Sequence, residues 1–284
     1  MAGLNKAYLE ITNLCNLNCS FCPGTRRPGG FISPEHFRVL AEKLRLHVRF
    51  LYLHLMGEPL LHPQLAQLLD IAGELDFRVM ITTNGTLLPR QVKLLASASA
   101  VHKVSVSLHS FEGNEAHGTD LSTYLEDCLA CAKTLSAAGK LCALRLWNLD
   151  GATTVGANRE NDGILRKIEA VFPKPWKENP RGSTLVPGVY LEWGEKFDWP
   201  DLSAEEGSGG VFCYGLRDQV GVLWDGTVVP CCLDHEGDIP LGNLYEQSLQ
   251  EILDSPRARA LYDGFSRRKA SEELCRKCGY ARRF

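Results

Sequence analysis

Several features are scarce or absent in this chain. It has only three methionines, five tryptophans and no excess of charge of one sign. The 31 Lys and Arg residues nearly balance 34 Asp and Glu, leaving a net charge of −3. Without a basic field, composition offers no support for a nucleic-acid or anionic-membrane partner. No apolar run reaches the roughly 20 residues of a membrane span or resembles a signal peptide. Internal repeats and low-complexity tracts are absent too. Cysteine is not scarce: the 284 residues include eleven. In a chain without a secretory leader, that number argues for a reducing compartment and metal ligation rather than disulfides. The expectation is a soluble, cytoplasmic protein. Hydrophobic residues make up 44% and charged residues 23%, ordinary values for a globular fold. A chain of this length can bury roughly three quarters of its unfolded surface, enough for one large domain and a small one.

Apolar segments suited to strands alternate with helical stripes. Ala7–Thr12, Phe50–Leu55, Phe77–Thr82, Val104–Leu108, Leu141–Trp147 and Val189–Trp193 read as strands. Ser33-Pro34 starts a helix with a capping residue and a proline at the first helical position. Phe37, Leu40 and Leu44 mark its buried face. Further helical stripes run through Leu65–Ala72, Leu121–Leu135 and Gly163–Phe172. Repeated strand–helix units with near-continuous apolar strands imply a parallel sheet covered by helices. The predicted fold is α/β, a partial (β/α)6 TIM-like barrel over residues 1–195. Residues 196–211 read as a linker or mobile loop, and 212–284 as a small C-terminal domain with a β-hairpin about Asp225-Gly226 and a helix over Leu244–Gly264. In such barrels, loops at the C-terminal strand ends carry the chemistry.

Cys15, Cys19 and Cys22 follow the first strand at C-x3-C-x2-C spacing. Three thiolates on one loop can hold three irons of a cubane, leaving the fourth iron without a protein ligand. Clusters usually take four Cys, so the open iron suggests another ligand; a zinc site is the alternative. With Phe21 before the last Cys, the loop resembles that of the radical S-adenosylmethionine (SAM) superfamily. That resemblance implies a [4Fe-4S] cluster whose open iron is chelated by SAM. It also implies SAM contacts at Gly57 and Glu58, because Met56-Gly-Glu58 is similar to the family's Gly-Gly-Glu motif, and at Asn84 and Ser107. An arginine that the family often carries after the fourth strand is missing between Ser107 and Tyr124, with Arg145 as a substitute. The implied chemistry is reductive cleavage of SAM to a 5′-deoxyadenosyl radical, fed by an electron donor such as flavodoxin or ferredoxin.

Cys213, Cys231, Cys275 and Cys278 form a second set, open to zinc or to a second cluster. It resembles the SPASM and shorter twitch extensions of radical SAM proteins, in a one-cluster form with an auxiliary [4Fe-4S] site. The spacing is also similar to that of cyclitol dehydrogenases of the 2-deoxy-scyllo-inosamine type. That likeness implies oxidation of a small hydroxylated substrate. The alternatives are a peptide-modifying enzyme (epimerase or thioether-forming) and, in another class, a non-catalytic iron–sulfur electron carrier. Glu192, His109 and His117 are candidate proton acceptors. Arg145 is a candidate substrate anchor, with the alternative of a barrel-core ion pair, and Trp147 and Trp193 are candidate substrate walls. Cys128, Cys131 and Cys142 fit buried packing. Cys232 is either packing turned toward the domain core or a functional thiol.

Overall fold

The computed structural model describes residues 3–114, 118–149, 158–207 and 210–283. Among the described residues, eleven strands form one open sheet: β1 Lys6–Leu9, β2 Phe50–Tyr52, β3 Arg78–Thr83, β4 Val101–Ser107, β5 Leu141–Leu149, β6 Lys177–Asn179, β7 Gly182–Val186, β8 Val189–Glu195, β9 Gln219–Val222, β10 Thr227–Val229 and β11 Gly242–Asn243. The order is β11-β10-β9-β1-β2-β3-β4-β5-β8-β7-β6. The six strands expected from the sequence are all present, and each is parallel to its neighbour from β1 through β8. This is the partial barrel, and it does not close.

Among the described residues, eight α-helices accompany the sheet: α1 Pro34–Arg45, α2 Leu65–Glu74, α3 Leu88–Ser97, α4 Leu121–Ala137, α5 Asn161–Val171, α6 Leu249–Leu253, α7 Pro256–Ser266 and α8 Glu273–Arg276. The Ser33 hydroxyl accepts from His36 N and starts α1, which buries Phe37, Leu40, Ala41 and Leu44. Each such leucine contributes about 2 kcal/mol when fully buried. In α4, Cys128 and Cys131 lie on the buried face, and Cys142 is buried in β5. All three are packing residues, as small apolar side chains would be.

Three arrangements differ from the sequence expectation. First, the hairpin of β9 and β10 continues the barrel sheet, because β9 pairs in parallel with β1. Second, β6 and β7 extend the other edge as antiparallel strands, in a stretch whose polar, half-exposed side chains give little periodic signal. Third, the helix expected over Leu244–Gly264 is two helices. Ser255 caps α7 and Pro256 opens it; proline cannot donate a backbone N–H to a continuing helix. Among the described residues, no helix is long and apolar enough to cross a membrane.

Candidate active site

The C-terminal ends of the parallel strands converge on the cluster loop. Gly57 follows β2 at φ +76°, and a Cβ there would lie 2.6 Å from Thr12 O and 2.7 Å from Leu14 O. Only glycine lets the backbone come this close, and Glu58 N then donates to Leu14 O at 2.8 Å. The Glu58 carboxylate is buried, accepting from Leu60 N at 3.0 Å and from Asn84 N at 2.7 Å. Burial pushes its pKa up to about 7. Asn84 carries the chain of contacts onward: its Nδ2 donates to Asn16 Oδ1 at 2.9 Å and toward the Cys15 sulfur at 3.9 Å.

On the other side, the turn after β4 grips the loop. Asn114 Nδ2 donates to the Cys19 sulfur at 3.1 Å, and its Oδ1 accepts from Asn18 N at 2.9 Å. Phe21 lies 5.1 Å from the His109 ring. A cavity of about 650 Å³ opens beside Cys15, Asn16, Leu17, Asn18, Ser20, Gly113 and Asn114. Cys15, Cys19 and Cys22 are all unpaired. Burial raises their pKa values, Cys19 to about 11, so they remain thiols until a cationic centre displaces their protons. Three sulfurs on one loop, two of them accepting N–H groups, fit three iron ligands of a cubane with one corner left open.

The barrel interior is polar at the same end. Glu192 is buried between Lys103 Nζ at 2.5 Å and Arg145 Nε at 3.2 Å. Burial alone would raise its pKa, but the bond from Lys103 and the charge of Arg145 outweigh it and hold the carboxyl below its ordinary value. Glu192 is therefore a weaker base than the sequence suggested, because two cations neutralise the carboxylate. Arg145 is in the ion-pair arrangement, also donating weakly to Thr82 and stacking 4.6 Å over Trp147. Ser107 faces it across the β4–β5 pairing. His109 is no better an acceptor. Burial lowers its pKa to about 4, and its Nδ1 lies 3.2 Å from Arg145 O and 3.3 Å from Trp147 N. His117 lies outside the described residues. Trp147 borders the interior, but Trp193 alternates to the opposite face from Glu192 and packs against the main core.

Three interior groups escaped the sequence reading. Lys103 could have been found as a charge on a strand that shares its face with Ser105 and Ser107. His54 has a buried Nδ1 with no hydrogen-bond partner; burial, then the charge of Arg145, lowers its pKa to about 3. Tyr8 hydrogen-bonds to Cys232, which packs with it beside Leu55, Leu223 and Val229. Cys232 thus turns toward the barrel rather than into the main core.

At the second site, burial and then the nearby thiols of Cys213, Cys232, Cys275 and Cys278 raise the Cys231 pKa. The four expected ligands are therefore gathered together. The donor set, four thiols from three segments of the chain, fits a fully ligated cluster and a four-thiolate zinc site alike.

A family model described as the radical SAM superfamily matches residues 9–153, and one described as an iron–sulfur cluster-binding domain (SPASM) matches residues 213–279. The chain belongs to the radical SAM superfamily. It carries a SPASM-type domain as well, and its cofactors are SAM and [4Fe-4S] clusters. The chain is 23% identical over 86% of its length to the sporulation killing factor maturation protein SkfB of Bacillus subtilis (strain 168), covering 63% of that protein. It is 28% identical over 35% of its length to the AdoMet-dependent heme synthase of Methanosarcina barkeri, covering 29% of it. Alignments to the first curated relatives thus span less than half of those proteins. Among solved structures, BtrN in complex with AdoMet and 2-DOIA shares the fold at TM-score 0.57 and 18% identity, over 98% of this chain and 94% of that one. Streptococcus suis SuiB shares it at TM-score 0.63 and 16% identity, over 92% and 68%.

Proposed function

We propose that this radical SAM enzyme dehydrogenates a small hydroxylated substrate. The observation that carries the reading is the polar barrel interior around Glu192, where Lys103, Arg145, Thr82, Ser107 and His54 offer hydrogen bonds to a polar molecule. Cys15, Cys19 and Cys22 would hold the SAM-binding cluster, and Cys213, Cys231, Cys275 and Cys278 of the 212–284 unit the auxiliary one. When bound, the first cluster with SAM supplies a hydrogen-abstracting radical, and the second supplies an electron sink. Gly57, Glu58 and Asn84 support the loop that carries the first three thiols. Glu192 fixes the direction of the Arg145 guanidinium, which is a hydrogen-bond donor only, so it anchors substrate oxygens. His54 remains neutral, leaving Nδ1 able to accept from a hydroxyl in its protonated-Nε2 tautomer. Trp147 covers the Arg145 guanidinium and limits water there. The many free thiols suit a reducing compartment such as the cytoplasm, with flavodoxin or ferredoxin as electron donor.

A second reading, peptide modification, is favoured by the Cys232 thiol hydrogen-bonded to Tyr8 at the interior, and by the likeness to SkfB. One experiment separates the two. The anaerobically reconstituted protein is given SAM, dithionite and a panel of cyclitols and aminocyclitols in deuterated buffer. The expected product is lighter by two hydrogens and forms together with 5′-deoxyadenosine. If no panel member reacts, and a peptide instead leaves with unchanged hydrogen count and one solvent deuterium, the dehydrogenase reading falls.

A further inference from the structure

One buried carboxylate outside the reacting groups joins four separate segments. Glu10, just after β1, is fully buried. Its oxygens accept from Arg27 Nη1 at 2.9 Å and Nη2 at 2.7 Å, from Met56 N at 3.3 Å and from Trp224 N at 3.4 Å. Arg27 Nε also donates, to His235 O at 2.7 Å. Beside it, Arg26 N donates to Glu236 Oε1 at 3.0 Å. The Trp224 ring lies so close to Gly30 that a Cβ there would meet it at 2.7 Å. The tail of the cluster loop is therefore held by β1 on one side and by the auxiliary segment on the other.

Both ends of this contact lie a short way along the chain from predicted iron ligands. Arg27 follows Cys22 by five residues, and His235 follows Cys231 by four. The second path is stiff, because the buried Asp234 carboxylate accepts from Asp238 N at 2.8 Å and Ile239 N at 3.0 Å. A bidentate Arg–carboxylate pair is geometrically demanding, and breaking it leaves a buried charge without its partner. The formed and broken states of the pair are therefore discrete, as a coupling element requires.

We propose that Glu10 and Arg27 form a clasp that couples the two thiolate sites, so that residues 224–239, which carry Cys231, set the cluster loop for SAM binding. Glu10 and Arg27 are positioning residues in this scheme. Coupling between sites is reciprocal, so SAM binding strengthens the auxiliary site's hold on its metal by the same factor.

The test is a double-mutant cycle on the reconstituted protein. SAM affinity is read from the change in the EPR signal of the reduced first cluster. Four proteins are compared: the parent, R27Q, the auxiliary-ligand variant C275S/C278S, and the combination. R27Q and the auxiliary variant are each expected to weaken SAM binding about tenfold. The combination is expected to be no weaker than the worse of the two, because both cut one link. Effects that multiply overturn the proposal, as does unchanged SAM affinity in R27Q. Should R27Q fail to fold, R27K keeps the charge but loses the two-pronged geometry and carries the same cycle. Hydrogen exchange gives an independent readout. Faster exchange in R27Q is expected at residues 13–30 and 231–239 together, with α4 still protected. Acceleration of residues 13–30 alone overturns the coupling.

Discussion

At the scale of single residues, the site depends on groups whose alternatives are sterically or electrostatically closed. Gly57 is the sharpest case. Gly57→Ala must place a Cβ against two backbone oxygens at positive φ, a strain of about 2–3 kcal/mol. We expect a lower melting temperature and a protein that keeps the auxiliary iron but fills the first site poorly. Iron analysis of the purified variant checks this. Glu192→Gln leaves Lys103 and Arg145 without their shared anion and should cost about 3 kcal/mol. The pH dependence has a definite sign. The Glu192 carboxyl is held below its ordinary 4.5, so its contribution is complete above that pH and disappears as pH falls through the lower folded-state value. Melting temperatures of parent and Glu192→Gln, compared from neutral pH downward, should differ by a constant amount and then converge in acid. Convergence on raising the pH would contradict the ion-pair account.

At the scale of elements, the hairpin β9–β10 matters most, because it links the barrel sheet to the chain carrying Cys231. A Cβ on Gly221 would meet Val229 Cγ2 at 2.7 Å and Cys231 O at 2.9 Å. Gly221→Ala therefore pushes the two strands apart at the auxiliary ligand. The expected result is loss of auxiliary iron with the first cluster retained, seen as a halved iron content. α7 gives a simpler test. The Ser255 hydroxyl accepts from Ala258 N, and Ser255→Ala should lower stability by about 1 kcal/mol in a denaturant titration. The sequence does contain this signal, a serine before proline, yet the apolar stripe on both sides hid the break. The β6–β7 pair left no such sign, since its register depends on β8 rather than on its own alternation.

At the scale of the whole molecule, one open sheet joins the strand that precedes the first three cysteines to the hairpin that precedes Cys231. If both sites hold four-iron clusters, iron and sulfide analysis of the reconstituted protein should each give about eight per chain. About four irons with one zinc would return the second site to the structural-zinc alternative.

The sequence by itself determined the parallel strand–helix order and singled out both sets of candidate ligand cysteines. These are local facts: period-two strands, helix caps, and fixed spacings such as Cys15, Cys19 and Cys22 survive in any reading of the chain. Only the tertiary structure decided what the interior charges do. Lys103, Arg145 and Glu192 come from three different strands, and their pairing follows from parallel register rather than from neighbouring residues. The same holds for Cys232, whose direction was set when β9 joined β1 and turned that thiol toward Tyr8. It holds most of all for Glu10, whose partners Arg27, Met56 and Trp224 lie 17, 46 and 214 residues away. A buried charge is stable only where such distant donors converge, and no local pattern announces that convergence.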